Sequence, residues 1–185
     1  MISVYKILLM EIFIIGVVIV IIMVIVSTTI KKHAATAYDA EIVEKEDFSI
    51  EKAEGFLYPL RDKPDFPFEA YSKLYGERST RNIWQARVRL RISDGLNLQK
   101  IVKEIKKGEE KFVSEKKLED VPNGQKGIII RTEKTLDEVD YKVLRKIIES
   151  RERNKTYELR ITLLEPYGEE YTEKACEMME SFVVK

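Results

Sequence analysis

Histidine and cysteine are almost missing from this chain: His33 and Cys176 stand alone among 185 residues. A single thiol excludes an internal disulfide and a four-thiolate zinc site. A single imidazole, placed where the apolar amino-terminal run ends, removes Ser-His and Cys-His pairs from the remainder and with them the common routes to an activated nucleophile. Amides are scarce as well, with only Gln85, Gln99, Gln125, Asn82, Asn97, Asn123 and Asn154. Set against 35% charged residues, this composition fits a thermophile, although an AT-rich genome gives the same Lys, Ile and Glu bias. Eight glycines and five prolines leave no Gly/Ser linker and no low-complexity tract. The one glycine pair near a lysine, in "DVPNGQKG", lacks the spacing of a phosphate loop and reads as a turn. Charge of one sign is not in excess either. Setting aside Lys6, Lys31, Lys32 and Glu11 leaves 29 of the 32 basic and 31 of the 32 acidic residues in the remainder, about −2 overall. That balance argues against bulk attraction to nucleic acid.

What is present first is a long apolar run. Every residue from Ile12 to Val26 is apolar, with Ile7–Met10 before it and Ser27–Ile30 after it. About 20 residues rising roughly 1.5 Å each cross a hydrocarbon core of about 30 Å. A cleaved secretion signal carries a core of roughly 7–15 residues and then a small-residue site. "HAATA" offers small residues, but Lys31-Lys32 intervene and the run is too long. We read residues 1–33 as a retained anchor with a short tail, meeting lipid through residues 7–30. Glu11 fits the headgroup boundary, near the positive end of the helix dipole. Lys31 and Lys32 slightly outweigh Lys6, which leans the following domain toward the cytoplasmic face.

Beyond the anchor three segments are expected. Residues 34–55 are polar and read as a juxtamembrane helix closed by Gly55. Residues 56–82 hold Pro59, Pro64 and Pro67 with six aromatics, Phe56, Tyr58, Phe66, Phe68, Tyr71 and Tyr75, and read as irregular. The rings are either pinned into a core or exposed as a patch for a partner. Residues 83–185 form an α+β domain. "NIWQARVRLRIS" alternates, with Trp84, Ala86, Val88, Leu90 and Ile92 inward. A helix follows at "NLQKIVKEIKKG", then a strand at "EKFVSEKKL", a turn and the strand "IIIRTEK". Thr135 and Glu138 resemble a capping box ahead of Val139, Val143, Leu144, Ile147 and Ile148, which predicts a second helix. "TYELRITLLEP" alternates again, and an amphipathic helix spans about Glu169–Val183. The order β-α-β-β-α-β plus a terminal helix is the ferredoxin-like arrangement, with two helices on one face of an antiparallel sheet.

Arg87, Arg89 and Arg91 alternate outward on one strand, and Arg160 faces outward on another. This column is either an anion or partner contact or a solvated ion-pair face with Glu158. A nucleic-acid sheet would interleave stacking aromatics, which the outward positions lack. No cofactor or metal is implied. The expected protein is a single-pass, membrane-anchored, non-enzymatic one, whose domain serves protein–protein contact, assembly or self-association; anion or nucleic-acid binding through the arginines is the alternative.

Overall fold

The computed structural model describes residues 2–61, 63–72, 83–119, 121–136, 138–165 and 169–185. It divides into two compact units, Met1–Asp39 and Ala40–Lys185. The first is one helix, α1 (Ile2–Thr36). Within it Phe13–Lys32 has a mean hydropathy of 3.0 and no buried residue, so this helix is long and apolar enough to cross a bilayer. Two of its hydroxyls bond back to the preceding turn: Thr28 Oγ1 donates to the Val24 carbonyl at 2.9 Å and Thr29 Oγ1 to that of Ile25 at 2.8 Å. Such back-bonding satisfies polar groups where lipid offers no partner.

The helix ends at Thr36, and the juxtamembrane helix expected over 34–55 is instead a hairpin of β1 (Glu41–Glu44) and β2 (Phe48–Lys52). In β2, Phe48, Ile50 and Lys52 alternate into the interior. The segment expected to be irregular contains β3 (Phe68–Tyr71). Then come β4 (Ala86–Asp94), α2 (Leu98–Lys107), β5 (Lys111–Leu118), β6 (Lys126–Leu136), β7 (Val139–Ser150), β8 (Lys155–Leu164), α3 (Glu169–Ser181) and β9 (Val183–Val184). The larger sheet is antiparallel throughout, ordered β3-β4-β8-β7-β6-β5; the smaller is ordered β1-β2-β9.

The helix expected after Thr135 is the strand β7. Its apolar residues fall at helical spacing because β7 lies inside the sheet and is covered on both faces, which blurs the two-residue period. Ile147 packs with Ile128 and Ile130 under α2, whereas Leu144 and Ile148 join the main core on the opposite face. The Thr135 hydroxyl donates to Asp140 Oδ1 at 2.5 Å across the β6–β7 turn and caps no helix. With that helix gone, the α+β class stands but the ferredoxin-like order does not. The two helices α2 and α3 lie on opposite faces of the sheet, and β4 is flanked by β3 and β8 next to one edge.

The main core sits between the sheet and the layer of α3 with β1, β2 and β9. Ala86, Val88 and Leu90 of β4, Leu159 and Ile161 of β8, and Ala175 and Met178 of α3 are fully buried there. On the other face α2 covers only the β5–β6–β7 end, through Leu98, Ile101, Val102 and Ile105. The β4–β8 half of that face is left to polar side chains.

Candidate functional site

Strand register decides what stands on the uncovered half. Glu69 of β3, Arg89 of β4, Arg160 of β8 and Arg145 of β7 occupy directly opposed positions, one per strand. Three guanidinium groups in one cross-strand row repel one another unless carboxylates intervene. Two carboxylates do. Glu69, whose side chain is 2% exposed, uses Oε1 to accept from Arg89 Nε at 3.1 Å and from Arg87 Nε at 2.9 Å, with Arg87 Nη2 also paired to it. Glu110, in the loop between α2 and β5, accepts from Arg145 Nη2 at 2.7 Å through one oxygen and from Arg160 Nη2 at 2.8 Å through the other.

Arg145 is 4% exposed and also meets Glu158 at 3.2 Å and the Thr132 hydroxyl at 2.8 Å, so it is fully committed to the fold. Arg89 and Arg160 are not: among the described residues each makes one of these charged hydrogen bonds, and a guanidinium carries five donors. Both line a cavity of about 680 Å³ together with Trp84, Arg87, Lys134 and Tyr141. Ile83, Leu136 and Val139 give it an apolar side. Rings brace the cations from the rim. Arg87 lies 4.8 Å from the Trp84 ring, Arg89 lies 5.0 Å from Phe66, and Lys134 Nζ lies 5.4 Å from Tyr141.

Burial comes first in the electrostatics of the site, and neighbouring cations second. Burial and the neighbouring Arg160 hold the Lys134 ammonium below its ordinary pKa, with Arg145 and Arg89 adding to the effect and Glu110 opposing it. Burial, Arg145 and Arg89 likewise push Arg160 down against Glu110 and Glu158. For Glu110, burial alone would raise the carboxyl, but hydrogen bonds from Thr132 and Arg145 and the charges of Arg145 and Arg160 carry it below the usual range.

Of the residues singled out in the sequence, Arg87, Arg89 and Arg160 meet in this cradle. Arg91 is exposed and lines a neighbouring hollow with Asn97 and Lys100. The aromatic set disperses. Phe56 is fully buried edge-on to Tyr171, and Phe68 is buried against Tyr58, whose hydroxyl reaches Glu41 at 3.1 Å. Tyr71 is half-buried against Trp84, Phe66 backs Arg89, and Tyr75 lies outside the described residues. Trp84, expected inward with Ala86, lies on the cradle rim instead, because the chain bends at Gln85 before β4 begins. Glu69, Glu110, Lys134 and Tyr141 carried no local pattern; they join the site through pairings remote in sequence. Among the described residues no group of three or more His, Cys, Asp or Glu is placed to hold a metal ion.

This architecture, an antiparallel sheet with helices and a small second sheet, defines an α+β fold shared with known structures. No family model matches the sequence, and no curated protein matches it. The solution structure of cyanobacterial PsbP (CyanoP) from Synechocystis aligns with a TM-score of 0.52 at 9% identity, over 80% of this chain and 94% of that one. LpqN of Mycobacterium tuberculosis, described as involved in cell envelope biogenesis, gives 0.52 at 9% over 79% and 83%. The Ran-binding protein Mog1p of Saccharomyces cerevisiae gives 0.51 at 11% over 80% and 96%. At such identities the likeness is one of fold.

Proposed function

We propose that this chain is a bilayer-anchored, non-enzymatic binding protein whose sheet domain holds an acidic partner protein in the cradle of Arg87, Arg89, Lys134 and Arg160. The observation that carries the reading is the opposed row of Arg89, Arg160 and Arg145, in which carboxylates complete the shielding of Arg145 only. A face that served the fold alone would balance these charges; repelled cations left lining a cavity favour an anion from outside. The apolar side of the same cavity suits a protein partner better than a nucleic-acid backbone. α1 supports the anchor through its length and hydropathy. Mog1p is a Ran-binding protein, which is in keeping with this type of body serving as a binding module, but the reading rests on the cradle.

A photo-crosslinking residue at Thr162, which lines the cavity, tests the partner in native membranes. The expected result is one protein adduct, lost when Arg89 and Arg160 are both changed to Gln. Absence of an adduct, or indifference to the double change, would overturn the partner reading. The anchor is tested separately by alkaline extraction: the chain should stay in the membrane fraction with its first 33 residues intact, and a soluble form beginning beyond Lys32 would refute it.

A further inference from the structure

We propose that the group received by the cradle is a phosphoryl dianion attached to an apolar body, an inference that rests on this face being the contact surface. The charge count comes first. Arg87, Arg89, Arg145, Arg160 and Lys134 share the carboxylates Glu69, Glu110 and Glu158. Among the described residues that line the cradle or pair within it, positive charges therefore exceed negative ones by two, where a lone carboxylate would neutralise one. Of the other carboxylates nearby, Glu133 pairs with Lys111 and Glu165 with Lys142, while Asp140, held by the Thr135 hydroxyl, and Glu109 line an adjoining hollow beside Lys134.

The second argument is geometric. The three cations with donors to spare come from three strands, Arg89 from β4, Arg160 from β8 and Lys134 from β6, and all line one cavity. A tripod of two guanidinium forks and an ammonium matches the three terminal oxygens of a phosphate monoester, whereas a planar carboxylate presents two. Lys134 has no ion pair among the described residues. The third argument concerns the rest of the ligand. Trp84, Leu136, Val139 and Tyr141 flank the cations, so the atoms that carry the phosphoryl group meet aromatic and aliphatic surface.

The full chain in detergent, titrated by calorimetry with phenyl phosphate, inorganic phosphate and benzoate, tests the proposal. Phenyl phosphate should bind best, inorganic phosphate more weakly for want of the apolar body, and benzoate at least tenfold more weakly than phenyl phosphate. Binding should strengthen from pH 5 to 7.5 as the second phosphate proton leaves, near a pKa of about 6. Lys134→Met should weaken phenyl phosphate by about tenfold, the loss of one charge-assisted contact, while the unliganded protein stays folded. Arg160→Gln should weaken it at least as much; since it also releases Glu110, Lys134→Met is the variant that decides. Benzoate binding as tightly as phenyl phosphate, or no loss in Lys134→Met, would overturn the dianion. A surviving Thr162 adduct with no phenyl phosphate binding removes this inference alone, and phenyl phosphate binding without an adduct removes the partner protein alone. Phosphatase treatment of the membranes assigns the source: loss of the adduct places the phosphoryl group on the partner, and its persistence alongside phenyl phosphate binding makes the ligand a free ester.

Discussion

At the scale of single residues, the cradle sets stability against the binding proposed for it. Lys134 keeps its charge in a place where burial and Arg160 oppose it. Its folded pKa lies below the unfolded one, so the unfolded chain binds more protons between the two values and stability rises as pH climbs through that window. At neutral pH the charged ammonium therefore costs stability. Lys134→Met should raise the melting temperature of the unliganded protein at pH 7 by about 2 °C, and the gain should be lost as pH rises through the unfolded value of 10.5; a lower melting temperature at pH 7 would contradict the repulsion. Glu110 has the opposite sign. Its lowered folded pKa makes its contribution present above the unfolded value near 4.5 and lost as pH falls through the folded one. Glu110→Gln should cost about 1–2 kcal/mol at pH 7, allowing for solvent screening. In denaturant melts the gap to the parent should close on acidification below about 4.5.

Among the elements, the edge hairpin β5–β6 depends on a glycine for space rather than for backbone freedom. Gly127 is buried opposite Leu118, and a Cβ there would stand 2.8 Å from Leu118 Cδ1 and 3.1 Å from Val121 Cγ2. Gly127→Ala should cost about 1–3 kcal/mol by overpacking, with faster amide exchange confined to β5 as the measurable sign. The same strand is exposed along almost its whole length and carries Lys111, Lys116 and Lys117, charges that discourage pairing with another sheet edge. On β7, two strands in from that edge, Lys146 closes α3. Its ammonium donates to the carbonyls of Met179 at 2.6 Å and Phe182 at 2.9 Å, supplying partners that the last turn of a helix lacks.

For the whole molecule, the domain is closed by joining its two ends. The two-residue β9 pairs with β2, which precedes it by some 130 residues. Val184 is buried, Lys185 N donates to the Asp47 carbonyl at 3.1 Å, and Arg153 Nε donates to the Lys185 carbonyl at 2.8 Å. Asp47 draws in Arg153 at 2.6 Å and Lys155 at 2.8 Å, tying the β1–β2 turn to β8 and its preceding turn. Deleting residues 183–185 should destabilise the domain by about 2–4 kcal/mol. Hydrogen exchange should then report the loss in β2 first; unchanged protection there would mean that the closure holds nothing.

Wherever the physics is local, the sequence alone was enough. An unbroken apolar run makes a helix of spanning length in any context, and the alternation of Ala86, Val88 and Leu90 against Arg87 and Arg89 marks a strand with one buried face. Helices α2 and α3 were legible for the same reason, an apolar stripe bounded by polar residues. Tertiary structure decided the rest. Val139–Ser150 reads as a helix until both faces of the strand are known to be covered, and Phe48–Lys52 is held as a strand between its hairpin partner β1 and, from the opposite end of the chain, Val183–Val184. The cradle follows the same rule. Arg87, Arg89 and Arg160 were visible as outward arginines, but Glu69, Glu110 and Lys134 come to them only through the tertiary fold, and the energy of such a charge cluster depends on distance in space, not on separation along the chain.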